Sequence, residues 1–490
     1  MAKPSGGPRR SILSSGALTA ISFALITGVS AAVGVVIARE FGRGAETDGF
    51  FAAYAVFLVL VLAASAIRVA VLPALARGRE DGVFGAVLGG YAVAVGVVSL
   101  LALGVGVGAN DWAAGVLTGD LPEPARAAAA DALVFLVPAA AAQLFAALAA
   151  SGLAAYDSYG TAAAGYALGS VLGLALILWR VGEDGIVACA WGILLNAAVA
   201  LAVPALALAR RREDFVFRTR RLAVGARLGE LARAAALPLV LQALFVVCLR
   251  FASGLGTGSV TSFSYAYMIA SGLVAVTASS LGMVSSVPLT RSALSPERAS
   301  RHVVSTSLVS FAAVAAGAGV FALVGDRIVE AALGPAYASD AGGEIGRLVG
   351  FLGPWMAASV GVTLTFPLLF VAGRSRLLPL LAVAVLAAHV PVAWAGLAWL
   401  ELEGLALALA LTTLLVLVGL LSLLDRVVLA TAVTRLGLGA ALVAALAFAA
   451  FGLADALLPA VAASAVGLAG FGALLLASRG LGLADAWCYR

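Results

Sequence analysis

The chain reads as an all-α polytopic membrane protein of about fourteen transmembrane helices, built as two six-helix lobes with two further helices at the C-terminal end. Three observations carry that reading. Hydrophobic residues fill 63% of the 490 positions and charged residues only 11%, with a mean hydropathy of +1.10, more apolar residue than a water-soluble core can use. Uninterrupted apolar runs of about 20 residues, enough to cross the hydrocarbon of a bilayer, recur along the whole length. One stretch also recurs. Shifting the chain by 214 residues lays Phe41–Arg77 on Leu255–Arg291, matching Gly42 with Gly256, Gly44 with Gly258, Thr47 with Thr261, Ser65 with Ser279 and Arg77 with Arg291.

In chain order the expected spans are 16–38, 50–75, 83–108, 127–152, 159–179, 186–209, 234–254, 260–289, 303–325, 348–371, 377–398, 404–424, 437–457 and 459–478. The first, preceded by Lys3, Arg9 and Arg10, has the charged start of a signal peptide. Its apolar region is too long for one and many spans follow, so it is read as a retained helix. An even number of spans puts both termini on one side, and the positive-inside rule chooses the cytoplasm. With that orientation 22 of the 30 basic residues lie inside and six outside (Arg39, Arg43, Arg126, Arg180, Arg327 and Arg347).

The expected organisation is an N-terminal lobe over 1–209, a basic cytoplasmic linker over 210–233, a C-terminal lobe over 234–424, and two added spans with a tail over 425–490. The linker, RRREDFVFRTRRLAVGARLGELAR, is a solvated connector that sets topology, with anionic lipid headgroups as a secondary contact. The 214-residue offset sets the second span of one lobe on the second span of the other, and parallel repeats of this kind place a substrate path where two lobes meet. The outer loops 109–126 and 326–347 carry turn-marking prolines (Pro122, Pro124 and Pro335) and are too short for an extracytoplasmic catalytic domain.

Composition excludes several classes. The net charge of +5 sits in short loops, not in a stripe with interleaved aromatics, so nucleic acid is not an expected partner. Cys189, Cys248 and Cys488 form no CxxC pair and no disulfide framework. His302 and His389 stand as isolated histidines, and no P-loop, metalloprotease or nucleophile-elbow pattern occurs. Gly254-Leu-Gly256-Thr-Gly258 joins two membrane spans instead of a strand and a helix, which excludes a nucleotide fingerprint. Gly165, Gly169 and Gly173 read as a helix-packing face. No cofactor is expected, and energy is left to the membrane potential or a monovalent ion.

Two charges fall well inside spans, Arg68 and Arg250, and no carboxylate does; Asp131 and Asp455 lie near span ends. A cation in hydrocarbon costs roughly 2.5–3.5 kcal/mol on insertion scales, so it normally faces a bundle interior or a wet cavity. Tyr54, Ser65 and Arg68 share a helix face, since 11 residues make about three turns. Arg68 is read as a fixed cation for an anionic headgroup such as a pyrophosphate, which guanidinium meets with paired donors. Arg250, four or five residues from a span end, is better placed to snorkel, with Gln242 and Ser253 on nearly the same face of that span. Arg39, at the mouth of the first outer loop, completes the candidate substrate-contacting set. The eighth span carries small and polar residues at Thr261, Ser264, Met268, Ser271, Ala275, Ser279 and Ser286, read first as a close-packing face.

The segment Ala38–Tyr54, AREFGRGAETDGFFAAY, resembles the A-x-x-F-G-x-x-x-x-T-D-A-F-F segment of the MurJ/MviN-type lipid II flippases of the multidrug/oligosaccharidyl-lipid/polysaccharide (MOP) exporter superfamily. The matching positions are Ala38, Phe41, Gly42, Thr47, Asp48, Phe50 and Phe51, with Pro73 near the family's helix-end proline. Ala236–Leu244 and Gly258–Ile269 look like the corresponding segments of the second lobe. The resemblance implies a two-lobed, V-shaped transporter that moves a polyprenyl-pyrophosphate-linked saccharide from inner to outer leaflet by alternating access. The chain departs from the family at cationic cavity positions, with Val33-Gly34 in place of an Arg-Asp pair, Val61-Leu62 where arginines are usual, and Met268 where an arginine follows a tyrosine.

The leading expectation is therefore a transporter and not an enzyme: a flippase for lipid II or a related cell-envelope glycolipid. The alternatives are a cation-coupled exporter of the same superfamily, which needs an intramembrane carboxylate, a membrane glycan-processing enzyme, which needs larger outer loops, and a non-transporting scaffold of cell-wall assembly. The expected setting is the bacterial cytoplasmic membrane, consistent with a chain in which only Lys3 of the 30 basic residues is lysine. Expected partners are the lipid-linked glycan, membrane lipids and proteins of cell-envelope synthesis, with the chain itself a monomer.

Overall fold

Helices account for nearly all of the described backbone, and no strand occurs among the residues that the computed structural model describes, 28–156, 158–211, 222–275, 296–338, 340–371 and 374–478. Lipid offers no partner to a backbone N–H or C=O, so a spanning segment must close its hydrogen bonds within itself. In chain order the helices are α1 (28–41), α2 (Ala45–Glu80), α3 (Phe84–Gly106), α4 (Asn110–Thr118), α5 (Glu123–Ala154), α6 (Tyr159–Asp184), α7 (Val187–Ala209) and α8 (Val224–Ala252). There follow α9 (Ser259–Val274), α10 (Pro296–Leu333), α11 (Asp340–Phe351), α12 (Gly353–Val371), α13 (Leu378–Leu424), α14 (Arg426–Leu457) and α15 (Ala460–Ala477). Among the described residues ten helices are long and apolar enough to cross a membrane, or eleven when the pair α11–α12, bent by 45°, counts as one span. The chain is a multi-pass membrane protein.

The span of 47 residues in α13 enters that count once, yet it is two helices. Leu400 and Glu401 leave helical geometry, Glu401 at φ 50° and ψ −124°. Beyond them the chain doubles back: Gly396 lies against the Gly404 backbone and Gly419 against Leu381. A side chain on either Gly396 or Gly404 would overlap the other's carbonyl oxygen. This is the hairpin expected of spans 377–398 and 404–424. Two loops expected on the outer side hold more structure than their length suggested, since 109–126 contains α4 and 326–347 contains the end of α10 and the start of α11.

The chain divides into two compact units, Met1–Gln242 and Ala243–Arg490. The division falls inside α8, and residues 224–233, read above as linker, are the first turns of that helix. Residues 212–221 of the linker lie outside the described set. Within the first unit α5 is the central helix, packed on α2, α3, α4 and α7, and 72% of its most apolar window is buried, against 33% for α6 and 28% for α7. Its alanines permit this, because small side chains let helix backbones approach closely where lipid supplies no hydrophobic drive. Gly169 and Gly173 rest on the backbone oxygens of Asn196 and Gly192 in α7, so the glycine face of α6 is a packing face as expected.

Within the second unit α10 is the pillar. It packs on α11, α12, α14 and α15, with Gly319 against Phe451 and Gly439 against Leu308, so α10 and α14 run in the same direction. On the small-residue face of α9, Thr261 and Ser264 are almost wholly buried while Met268, Ser271 and Ala275 are half-buried; Ser279 and Ser286 fall outside the described residues.

The 214-residue repeat has a structural counterpart. In the first unit α1 ends at residue 41, Gly42 takes φ 61°, and α2 starts at Ala45. In the second unit a helical turn ends at Leu255, Gly256 takes φ 102°, and α9 starts at Ser259. Each boundary is offset by the same 214 residues. Glycine is the residue for such a left-handed step because it lacks the Cβ that makes positive φ strained. Thr47 and Thr261, third in their helices, are both buried.

His389, read as isolated in the sequence, is not. It is fully buried on the first half of α13 and hydrogen-bonded through both ring nitrogens, to Thr412 of the second half and to the Leu244 carbonyl of α8.

A Cβ at Gly49 would overlap the Ala125 carbonyl oxygen, so α2 and α5 touch backbone to backbone there, whereas a Cβ at Gly44 meets nothing. Gly49→Ala is expected to destabilise the protein by about 1–3 kcal/mol, as overpacking does. Gly44→Ala should stay within roughly 0.5 kcal/mol of wild type. Thermal unfolding in detergent compares the two, and equal melting temperatures would contradict the close approach.

Candidate functional site

The stretch carrying the family likeness is mostly helix. What reads as a polar loop is a turn over 42–44, and α2 begins five residues earlier than expected. The shift draws Thr47 and Asp48 into the first turn of α2, where they are 1% and 0% exposed. Asp48 is thus a fully buried carboxylate at a helix N-terminus, where the exposed N–H groups and the helix dipole favour negative charge. Residue 48 reads as loop from hydropathy alone; the acidic pair Glu46 and Asp48, a helix-start signal, would have found it.

Beyond Asp48 the same helix carries an aromatic row. Tyr54 stacks on Phe50 at 6.0 Å and on Phe57 at 5.5 Å between ring centroids, with Phe51 edge-on at 6.4 Å. Tyr54 is half-buried in this row. Ser65 and Arg68 lie further along α2; their side chains are outside the described set. Arg39 is exposed at the end of α1. Gln242 is buried on α8. Arg250 occupies the last turn of α8, exposed, and donates from Nη1 to Ser253 Oγ at 3.2 Å, while Ser253 Oγ donates to the Arg250 carbonyl at 2.7 Å. That is the favourable place for a cation at a helix C-terminus. Of the six candidates, then, Tyr54, Ser65 and Arg68 share α2, Gln242 and Arg250 share α8, and Arg39 stands at the end of α1.

At the opposite end of α2 a second cluster appears that the sequence did not reveal. Arg79 donates from Nη1 to the Ala155 carbonyl at 2.7 Å, capping α5, and its guanidinium lies 4.5 Å from the centroid of Tyr156. Arg211, beyond α7, lies 5.5 Å from the same ring. Beside them Arg227 sits 4.8 Å over Tyr91 and pairs with Glu230 at 2.9 Å. The Tyr91 hydroxyl donates to Glu230 and accepts from Arg227. These groups stand on one apolar cluster that includes Phe84, Tyr91, Leu153, Leu208 and Leu231. Each cation–π contact is worth about 0.5–1 kcal/mol where exposed. Together they tie the ends of α2, α5 and α7 to the starts of α3 and α8, leaving guanidinium groups arrayed at the end that the charge bias assigns to the cytoplasm. The Arg227–Glu230 spacing is an i,i+3 signal, but its partner on α3 is 136 residues away.

No protein-family model matches the chain, and no curated protein sequence does. Solved structures do. A lipid II flippase MurJ in an inward closed conformation superposes with a TM-score of 0.71 at 14% identity, over 95% of this chain and 99% of that one. The chain has a MurJ-like fold. A multidrug-resistance MATE family transporter of the MOP superfamily, facing inward, matches with a TM-score of 0.61 at 17% identity over 86% of this chain and 95% of its own. A MOP superfamily transporter from Pyrococcus furiosus, described as having a binding pocket of reverse polarity, gives 0.58 at 16% over 88% and 96%. The MurJ-like fold thus covers the chain nearly end to end.

Tyr91→Phe keeps the ring beneath Arg227 and removes the hydroxyl that Glu230 and Arg227 share. Stability should fall by about 1 kcal/mol, the worth of a typical net hydrogen bond. A thermal melt of the purified variant that overlays wild type would show that the cluster does not hold these helix ends.

Proposed function

We propose that this protein is a flippase that moves a polyprenyl-pyrophosphate-linked saccharide, lipid II or a related cell-envelope glycolipid, from the inner to the outer leaflet of a bacterial cytoplasmic membrane. The observation that carries the reading is the MurJ-like fold, matched over 95% of this chain and 99% of the flippase. The residues add to it. Arg68 lies on α2, 23 residues beyond Ala45, about 35 Å along the helix at 1.5 Å per residue, and a guanidinium is the side chain suited to a pyrophosphate. The guanidinium groups of Arg79, Arg211 and Arg227 suit the anionic headgroups of the inner leaflet. Both termini cytoplasmic is the orientation that puts them there. Substrate binding is assigned to Arg68, Tyr54 and Ser65; Arg250, closing the end of α8, is better explained as a capping cation.

A second reading, a cation-coupled exporter, is favoured by the likeness to the MATE transporter and by Asp48, which supplies the buried carboxylate that such coupling needs. The two readings part in a strain depleted of its lipid II flippase. Rescue of growth, with a polyprenyl-linked glycan co-purifying with the protein, supports the flippase; no rescue together with efflux of cationic dyes supports the exporter.

Arg68→Ala should cut flipping by roughly tenfold or more, the loss expected for one charge-assisted contact, with folded protein at wild-type abundance in the membrane. Undiminished flipping by that variant would remove Arg68 from the site.

A further inference from the structure

His389 lies 11 residues from Leu378 and 11 from Leu400, about 16 Å from either end of its half-helix, which is mid-depth in a hydrocarbon layer about 30 Å thick. Its side chain is fully buried. Nε2 is 3.0 Å from the Leu244 carbonyl oxygen and 3.4 Å from Cys248 Sγ. Nδ1 is 3.0 Å from Thr412 Oγ1. The Thr412 hydroxyl in turn reaches the Ala408 carbonyl at 2.8 Å and the Leu409 carbonyl at 3.2 Å. Cys248 Sγ is 3.8 Å from the Leu405 carbonyl, to which its thiol donates.

Donor and acceptor arithmetic fixes what this arrangement permits. A carbonyl oxygen only accepts, so Nε2 must carry a hydrogen toward Leu244 in every state. Nδ1 has two satisfied states. When it is unprotonated, the Thr412 hydroxyl donates to it. When it is protonated, Nδ1–H donates to Thr412 Oγ1, and the hydroxyl hydrogen turns to the Ala408 carbonyl. Apart from the added proton only a hydroxyl rotation separates the two, and neither His389 nitrogen nor the Thr412 hydroxyl loses its partner in either. A proton added to the Nδ1 lone pair stays on the ring as an imidazolium, raising the charge of the site by one. The titratable neighbours are Cys248 on α8 and, beyond it, Tyr267 on α9, which stacks on Phe245 at 3.9 Å. From the second half of α13 the facing groups are Thr412 and backbone carbonyls. Among the described residues no carboxylate, arginine or lysine is hydrogen-bonded or ion-paired with the imidazole, so a bound proton is an uncompensated charge inside the membrane, and such a charge responds to membrane potential.

We propose that His389, with the Thr412 hydroxyl and the Leu244 carbonyl, is a proton-binding site in the interior of the second unit, its ligand a single proton taken up at Nδ1. As the source of a coupling ion it rests on the transport reading above; as a proton site it stands on its own geometry.

The chain has two histidines, so His302→Gln leaves a single imidazole in the full-length protein. Ring nitrogen-15 spectra of that protein in lipid nanodiscs, titrated between about pH 3.5 and about pH 8, report tautomer and protonation directly. The expected result is an Nε2–H tautomer at the upper end that converts to imidazolium on acidification, with both signals absent in His389→Gln. Thr412→Val removes the acceptor for Nδ1–H and should lower the midpoint by about one pH unit or more, while Thr412→Ser retains it. A ring that stays in one neutral form throughout, or a Thr412→Val midpoint equal to that of wild type, overturns the proposal. Failure of the wild-type protein to flip any polyprenyl-linked lipid would instead overturn the transport reading, and the titration would still decide the proton site.

Discussion

The structure depends on one constraint: a backbone crossing lipid must satisfy its own hydrogen bonds, and the helices that result have little hydrophobic reason to associate. Close approach therefore does the work that burial does in water. Gly49 against Ala125, Gly173 against Gly192 and Gly396 against Gly404 are contacts of backbone on backbone, each closed to any larger side chain. They place α2 on α5, α6 on α7, and one half of α13 on the other. The same constraint explains where regular structure stops. The chain leaves α-helical geometry at the left-handed steps of Gly42 and Gly256, at the reversal of Leu400–Glu401, and at the kink of Val324 within α10.

Because apolar surroundings penalise unpaired polar groups, the polar side chains that remain inside the units carry the most information. Asp48 is held in the first turn of α2, at the end of a helix dipole that favours its charge. His389 is bonded on both nitrogens, with a partner in each state of its ring. At one end of the first unit the arginines are not loose surface charges: Arg79, Arg211 and Arg227 are fixed on tyrosine rings above an apolar cluster, so their guanidinium groups are held before any phosphate arrives. Under the proposed function these are the groups available to an anionic lipid headgroup at the leaflet the transporter loads from.

Much of the fold was legible in the sequence, for a physical reason. Apolar run length is a property of contiguous residues, so the ten or eleven spans among the described residues and the break between 398 and 404 could be read directly. The repeat was legible through its glycines, since Gly42 and Gly256 are needed for backbone conformation and not for contacts. The site was less so. The burial of Asp48 turned on α2 starting at Ala45 instead of Phe50, a shift of little more than one turn that hydropathy does not resolve. His389 looked solitary because its partners Leu244 and Cys248 are 145 and 141 residues away. Tyr91 and Arg227, 136 residues apart, were hidden in the same way.

The proposed activity, movement of a polyprenyl-pyrophosphate glycan across a bilayer, can be measured directly. The direct measurement reconstitutes the full-length protein in liposomes carrying a fluorescent polyprenyl-pyrophosphate disaccharide and follows its exposure to an impermeant quencher added outside. The account predicts a protein-dependent fraction of inner-leaflet probe that becomes quenchable with time, and slower exchange in the Arg68→Ala variant. Exposure no faster than in protein-free liposomes, in preparations that transport a small cationic dye, would contradict it.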